Sequence, residues 1–243
     1  MGPDLAFALS LADTADEITL GRFRAADLRV ETKPDLTPVS EADRAVEETL
    51  RARIAAERQG EVVVGEEQGA DSGPGDRWIL DPIDATKNYV RGIPLFATLI
   101  ALEDRVAVVS APALGRRWWA ERGGGAWSEG RRLAVSGIGR VEEAVVTFTS
   151  LTGQPDGFFS LAERAWAARG FGDFWQYMLL AEGAVDVCVE AKANLWDLAA
   201  PKLIVEEAGG RLTDFRGVDT ADGGSALATN GHLHDAALAA LAG

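Results

Sequence analysis

The chain has 243 residues, 47% hydrophobic and 26% charged, enough apolar material to bury a core as one large unit or two joined lobes. Its 24 basic and 38 acidic residues give a net charge of −14, which excludes charge-driven attachment to nucleic acid or anionic membranes and reads mostly as an acidic, solubilising surface. The single cysteine, Cys188, excludes an internal disulfide or a cysteine-based zinc site and fits a reducing cytoplasm. No stretch has the roughly 18 apolar residues of a membrane span, and the first nine residues do not read as an export signal, so a soluble, unsecreted protein is expected.

Leu5, Ala8, Leu9, Ala12 and Ala15 recur at helical spacing and predict an amphipathic helix to about Phe23. Pro34 and Pro38 make Glu31 to Val39 an extended loop, after which Ser40 caps a second helix with the stripe Val46, Leu50 and Ile54. Val62 to Val64 is a short buried strand ending at Gly65, Gly69 to Asp76 a polar connection, and Trp78-Ile79-Leu80 the next strand. Phe96 to Leu102, Val106 to Val109, the Trp118-Trp119 segment and an apolar run after the Gly123-Gly124-Gly125 hairpin turn form a meander. The second half alternates: strand Val145 to Thr149, helices Phe158 to Ala168 and Trp175 to Glu182, strand Val185 to Val189, helix Leu198 to Ala208, a strand, and helix Ala236 to Leu241. That order predicts a layered α/β (α+β) fold. With no repeat or separating linker, residues 1–243 read as a single domain, an N-terminal α+β lobe to about 135 and a C-terminal α/β lobe from about 136.

Acids stand where strands end or helices begin: Glu66 and Glu67 after Val62 to Val64, Asp81 and Asp84 after Trp78 to Leu80, and Asp197 before Leu198. Side chains at strand ends project into crevices, and hard cations such as Mg²⁺ take oxygen ligands while keeping several waters, so a few carboxylates suffice for two ions. Pro82 is expected to lock a turn directly after the strand, setting Asp81 and Asp84 on one side with the Ile83 carbonyl beside them. Asp84 is also placed to cap a helix starting near Ala85-Thr86, whose open amides suit a phosphate. Each acid has a structural reading as well: Asp84 and Asp197 as helix caps, Ser40-x-x-Asp43 as a capping box, Glu66-Glu67 as a solvated turn. Spacing by itself leaves both readings standing.

Taken in order, Lys33 to Asp43, Gly65-Glu66-Glu67, Asp81 to Thr86, and Trp196-Asp197-Leu198-Ala199-Ala200 with Glu207-Ala208-Gly209-Gly210 resemble the motifs of the inositol monophosphatase superfamily, and the match runs from about Leu5 to the C-terminal helix. The resemblance implies an αβαβα layered sandwich, two or three Mg²⁺ ions per site, lithium sensitivity and a homodimer. By motif, Glu66, Asp81 and the Ile83 carbonyl hold one ion, Asp81, Asp84 and Asp197 a second, and a looser third lies near Glu66. Thr86 bonds Asp43 and with Glu66 orients the attacking water, while the amides of Ala85 and Thr86 bind phosphate. Ala85 departs from the glycine of many members, a change expected to affect pocket shape more than chemistry.

Within the superfamily, Asp81 to Tyr89 and Arg169 to Tyr177 look most like histidinol-phosphate phosphatases, and inositol-specific members usually carry small residues where Gly172-Asp173-Phe174 stands. The implied reaction is Mg²⁺-dependent hydrolysis of L-histidinol phosphate to L-histidinol in histidine biosynthesis. Asp173 and Glu190 can face the substrate ammonium, with Asp84, Asn194 and Asp197 also against the substrate and one of Phe174, Trp175 and Tyr177 as a ring partner. Alternatively, Trp175, Met178 and Leu179 form a core stripe and Asp173 caps a helix. His232 and His234 are expected at surface positions opening the last helix. Inositol-1-monophosphatase is the nearest rival. A bisphosphate substrate lacks an obvious basic cluster, and a silent phosphatase-like binding protein would be expected to have lost ligands that are all present here.

Overall fold

Residues 1–34 and 36–242 are described by a computed structural model; Asp35 of the first motif and Gly243 lie outside the described residues. Helix α1 (Pro3–Arg22) carries Pro3 in its first turn, where no N–H is required, and buries Leu5, Ala8, Leu11, Ala12 and Ala15. The segment expected as an extended loop is a hairpin instead: β1 (Val30–Thr32) pairs antiparallel with β2 (Pro38–Ser40). Proline is tolerated there because Pro38 opens its strand. Helix α2 (Glu41–Glu57) follows, with Ser40 and Asp43 forming the capping box read from the sequence.

The chain continues through β3 (Val62–Gly65), β4 (Gly69–Ala70), β5 (Arg77–Asp84), α3 (Thr86–Val90), β6 (Ala97–Leu102), β7 (Val106–Ala111), β8 (Arg116–Glu121), β9 (Gly125–Ser128) and β10 (Arg131–Arg132). These strands form an eight-stranded sheet of order β10-β9-β8-β7-β6-β5-β3-β4, antiparallel except where β3 runs parallel to β5. A five-stranded sheet is built from β11 (Val145–Phe148), β12 (Ala167–Arg169), β13 (Val187–Glu190), β14 (Arg211–Thr213) and β15 (Ala226–Thr229), in the order β12-β11-β13-β15-β14. Its helices are α4 (Gly157–Arg164), α5 (Asp173–Ala181), α6 (Leu195–Glu207) and α7 (His234–Leu241).

Period-two burial decides how these pieces stack. Trp78, Leu80, Ile100, Leu102, Val106 and Val108 face α1 and α2, while Ile79, Leu99, Ala101, Ala107 and Val109 face the layer of α5 and α6. The other surface of α5 and α6 covers the five-stranded sheet, whose far side packs on α4 and α7. The result is the αβαβα sandwich. Among the described residues, no helix is long and apolar enough to cross a membrane.

Two further expectations need correction. Helix α4 stops at Arg164, and the residues predicted to extend it become β12, parallel to β11. The open edge of β11 outcompetes helical propensity once Leu161 has supplied the last fully buried apolar anchor of the helix. His234 is buried rather than exposed, its ring nitrogens 3.0 and 3.1 Å from the hydroxyls of Thr213 and Thr229, and burial pushes its pKa down to about 4.

The α4–α7 contact is close at Gly157, where an added Cβ would lie 1.7 Å from the Ala240 carbonyl oxygen. Gly157→Ala should therefore lower stability by about 2 kcal/mol in urea denaturation, because backbone cannot swing aside. An unchanged midpoint would show that the outer helices are not closely seated.

Candidate active site

Parallel pairing of β3 and β5 sets Gly65 opposite Leu80, so the next residues, Glu66 and Asp81, emerge side by side at the carboxyl ends of the strands. By alternation Asp81 falls on the same face as Ile79, toward α6. Beyond Leu80 the β3 partner is gone, which lets β5 accept Pro82 without losing a ladder bond.

Here the structure departs from the expected turn. Instead of breaking at Pro82, β5 continues to Asp84 through a register shift between Asp81 and Asp84, and the Pro82 carbonyl accepts from Thr98 Oγ1 at 2.8 Å. Nor does Asp84 cap α3. The N-cap is Ala85, at φ 64° and ψ 44°, with no side-chain cap. Asp84 Oδ2 instead accepts the Phe174 N–H at 2.6 Å, so it staples the start of α5 to the strand end. Ala85 thus occupies a left-handed conformation natural to glycine, at a cost of about 1 kcal/mol for its methyl group.

Asp197 is the third residue of α6 and the reciprocal half of a capping box with Asn194, whose backbone and side-chain nitrogens reach its Oδ2 at 2.7 and 3.1 Å. Carboxylate oxygens of Asp81, Asp84 and Asp197 all lie within 4.8 Å of one another. Asp81 is 1% exposed, and its Oδ1 has no hydrogen-bond partner among the described residues. Three carboxylates facing one another, one with an unpartnered buried oxygen, fit a hard divalent cation.

Around this trio, Asp43 is buried and accepts from the Ser40 N–H at 2.8 Å, while the Thr86 hydroxyl lies 3.3 Å from Asp43 Oδ1 and 3.0 Å from the Ile83 carbonyl. Glu66 lines the same cavity, with Lys33 Nζ 2.8 Å from its Oε1 and 2.6 Å from Glu67 Oε1. Burial would lower the Lys33 pKa, but these two bonds override it and raise it. Burial and mutual repulsion push Asp81 and Asp84 well above the usual carboxylate range. Burial likewise lifts Asp43 and Asp197 to about 6 and raises Glu66.

The cavity of about 390 Å³ over Asp81, Asp84, Thr86 and Asp197 adjoins one of about 350 Å³ lined by Asp173, Tyr177, Glu190 and Asn194. Asp173 and Glu190 are both raised by burial, Glu190 to about 8. Among the candidate ring partners, Phe174 and Trp175 turn away to pack on Trp118, at centroid distances of 6.3 and 5.8 Å, because the α5 face they occupy is core. Of the three, Tyr177 alone lines this cavity, and its buried hydroxyl has no partner among the described residues. A larger cavity of about 590 Å³ lies elsewhere along α6, but its cations are already paired, Lys202 with Asp219 at 2.6 Å and Arg122 with Glu206 at 2.9 Å.

Several residues escaped the sequence reading. Buried Glu47 accepts the N–H groups of Glu67 and Gln68 at 2.7 and 3.0 Å and is paired with Arg51, fixing the turn that carries Glu66. Gly65 is required beside it, since a Cβ would lie 2.2 Å from Glu47 Oε1. The i,i+4 spacing of Glu47 and Arg51 was the available signal, though the same spacing marks many solvated pairs.

The sequence matches the Inositol monophosphatase family over residues 2–242. It is 52% identical to a histidinol-phosphatase of Mycobacterium tuberculosis, covering 98% of this chain and 97% of the relative. Identity to a histidinol-phosphatase of Streptomyces coelicolor is 49%, covering 96% and 94%. Among solved structures, an IMPase of Thermotoga maritima superposes with a TM-score of 0.89 at 29% identity, over 99% of this chain and 97% of that one.

Raised acids bind protons more tightly folded than unfolded, so without metal the stability they contribute falls as pH rises from about 4 through 6 to 8. Asp84→Asn, which keeps an acceptor for Phe174, should therefore stabilise the metal-free protein at pH 8 and give little at pH 4. Denaturation at the two pH values checks this. Equal destabilisation at both would contradict the like-charge account.

Proposed function

The chain belongs to the inositol monophosphatase family and is a phosphoric monoester hydrolase, and we propose that it uses Mg²⁺ to hydrolyse L-histidinol phosphate to L-histidinol and phosphate. The observation that carries the substrate assignment is the two-ended pocket: carboxylates suited to metal and phosphate at one end adjoin a second acidic end formed by Asp173 and Glu190. An ester bearing an ammonium group and an imidazole brings a cation and N–H donors to Asp173 and Glu190, whereas inositol phosphate offers these carboxyl groups only neutral hydroxyls. The histidinol-phosphatase relatives support the same choice.

In this reading Asp81, Asp84, Asp197, Glu66 and the Ile83 carbonyl hold two ions, with a third more loosely held near Glu66. When bound, such ions activate water and neutralise the charge that develops on the phosphoryl and leaving oxygens. The chain's own groups do the positioning. Thr86 spends its hydroxyl hydrogen on Asp43 or the Ile83 carbonyl, leaving lone pairs that accept from the attacking water. Glu66, the second acceptor, aligns that water against phosphorus for in-line displacement, so no covalent enzyme intermediate is needed. The amides of Ala85 and Thr86 open α3 and donate to phosphate oxygens. Homodimerisation and a cytoplasmic location belong to the same proposal, the latter supported by a lone buried cysteine.

A phosphate-release panel with Mg²⁺ tests the assignment using L-histidinol phosphate, inositol 1-phosphate, fructose 1,6-bisphosphate and adenosine 3′,5′-bisphosphate. L-histidinol phosphate should have the highest kcat/KM, and turnover of inositol 1-phosphate without it would overturn the substrate. Chelation by EDTA should stop hydrolysis, and Asp84→Asn should reduce it by about 100-fold or more while the protein remains folded. Full turnover by that variant would remove Asp84 from the site.

A further inference from the structure

The second acidic end is organised by neutral residues. Parallel pairing of β11 and β13 sets Phe148 opposite Val189, so Thr149 and Glu190 emerge together at the strand ends. The Thr149 hydroxyl donates to Glu190 Oε2 and accepts the Asp173 N–H at 3.0 Å and Gln176 Nε2 at 3.2 Å. One hydrogen and two lone pairs are then all engaged, leaving this hydroxyl nothing to offer a ligand. Gln176, 0% exposed, adds a second bond to Glu190 Oε2 at 3.1 Å. Both bonds end on the same oxygen, and Glu190 Oε1 accepts no hydrogen bond among the described residues.

Asp173 is held by its backbone in the same network. Its φ of 48° is unusual for a residue other than glycine, and the chain reaches it through Gly172, where a Cβ would lie 3.0 Å from Thr149 Cα. The two opening N–H groups of α5 are thus divided between the two ends of the pocket: Asp173 to Thr149, Phe174 to Asp84.

We propose that Thr149 and Gln176 are positioning residues that hold Glu190 and Asp173 toward the cationic end of the substrate, so that selection of a cationic phosphate ester depends on two uncharged side chains. The role rests on the substrate reading above. A long glutamate side chain would otherwise be free to turn to solvent, and fixing one oxygen presents the other to an ammonium at little further entropic cost.

The test is Thr149→Val in the Mg²⁺-loaded enzyme, which keeps shape and removes all three bonds. KM for L-histidinol phosphate should rise roughly tenfold with a much smaller change in kcat, and Thr149→Ser should restore it. A fall in kcat at constant KM, or no rescue by serine, overturns the positioning role. If Thr149→Val fails to fold, Gln176→Met, which removes one bond on Glu190, should give a smaller rise in KM, and an unchanged KM overturns the role. The network has its own readout in the melting temperatures of Thr149→Val, Glu190→Ala and the double variant. Sub-additive shifts support the coupling and additive shifts overturn it. A wild-type enzyme inactive on L-histidinol phosphate overturns the substrate reading and the role built on it, while the melting cycle still judges the network.

Discussion

Burying several carboxylates in one crevice is the constraint on which the rest of this structure depends. Asp81 and Asp84 are almost fully enclosed, with Asp197, Glu66 and Asp43 close by, and without a countercharge each makes the others harder to ionise. Such a cluster persists only if the fold prevents the acids from turning away. Four of them are tied down: Asp84 by the Phe174 N–H, Asp197 and Asp43 by capping boxes with Asn194 and Ser40, and Glu66 by Lys33. The covalent chain therefore supplies much of the cost of assembling the site before any ligand arrives.

The same architectural move is used twice. Parallel strand ends bring Glu66 beside Asp81 in one sheet and Thr149 beside Glu190 in the other. Helices α5 and α6 lie between the sheets, and their first turns deliver Asp173 and Asp197 to the gap. A phosphate ester with a positive group at its far end fits such a space as a whole. The first turn of α5 ties the two ends of that space together, through Asp173 to Thr149 and Phe174 to Asp84.

Much of this was legible in the sequence. The stripe Val46, Leu50 and Ile54 gave α2 its buried face, alternation along β5 and β6 defined the layers, and the ordered motifs named the acids that the fold brings together. What was illegible depends on distant partners. Pro82 looks like a strand breaker until Thr98 is found bonded to its carbonyl, and Asp84 looks like a helix cap until Phe174, 90 residues away, takes its oxygen. Phe174 and Trp175 suggested ligand contacts by residue type, yet the helical face they occupy points at Trp118. Thr149 carries no charge and belongs to none of the motifs read from the sequence, and Gln176, though inside the Arg169 to Tyr177 stretch, was passed over beside its acidic and aromatic neighbours.

The central claim is that the Asp81, Asp84 and Asp197 cluster is a cation site held ready by the fold. Calorimetric titration of Mg²⁺ into the metal-free protein near pH 6, in two buffers of different ionisation enthalpy, tests it most directly. Because the cluster retains protons that a cation must displace, binding should release protons, with less release near pH 8 and none measurable for Asp84→Asn. Binding with no buffer dependence, or the same binding by Asp84→Asn, would contradict the account.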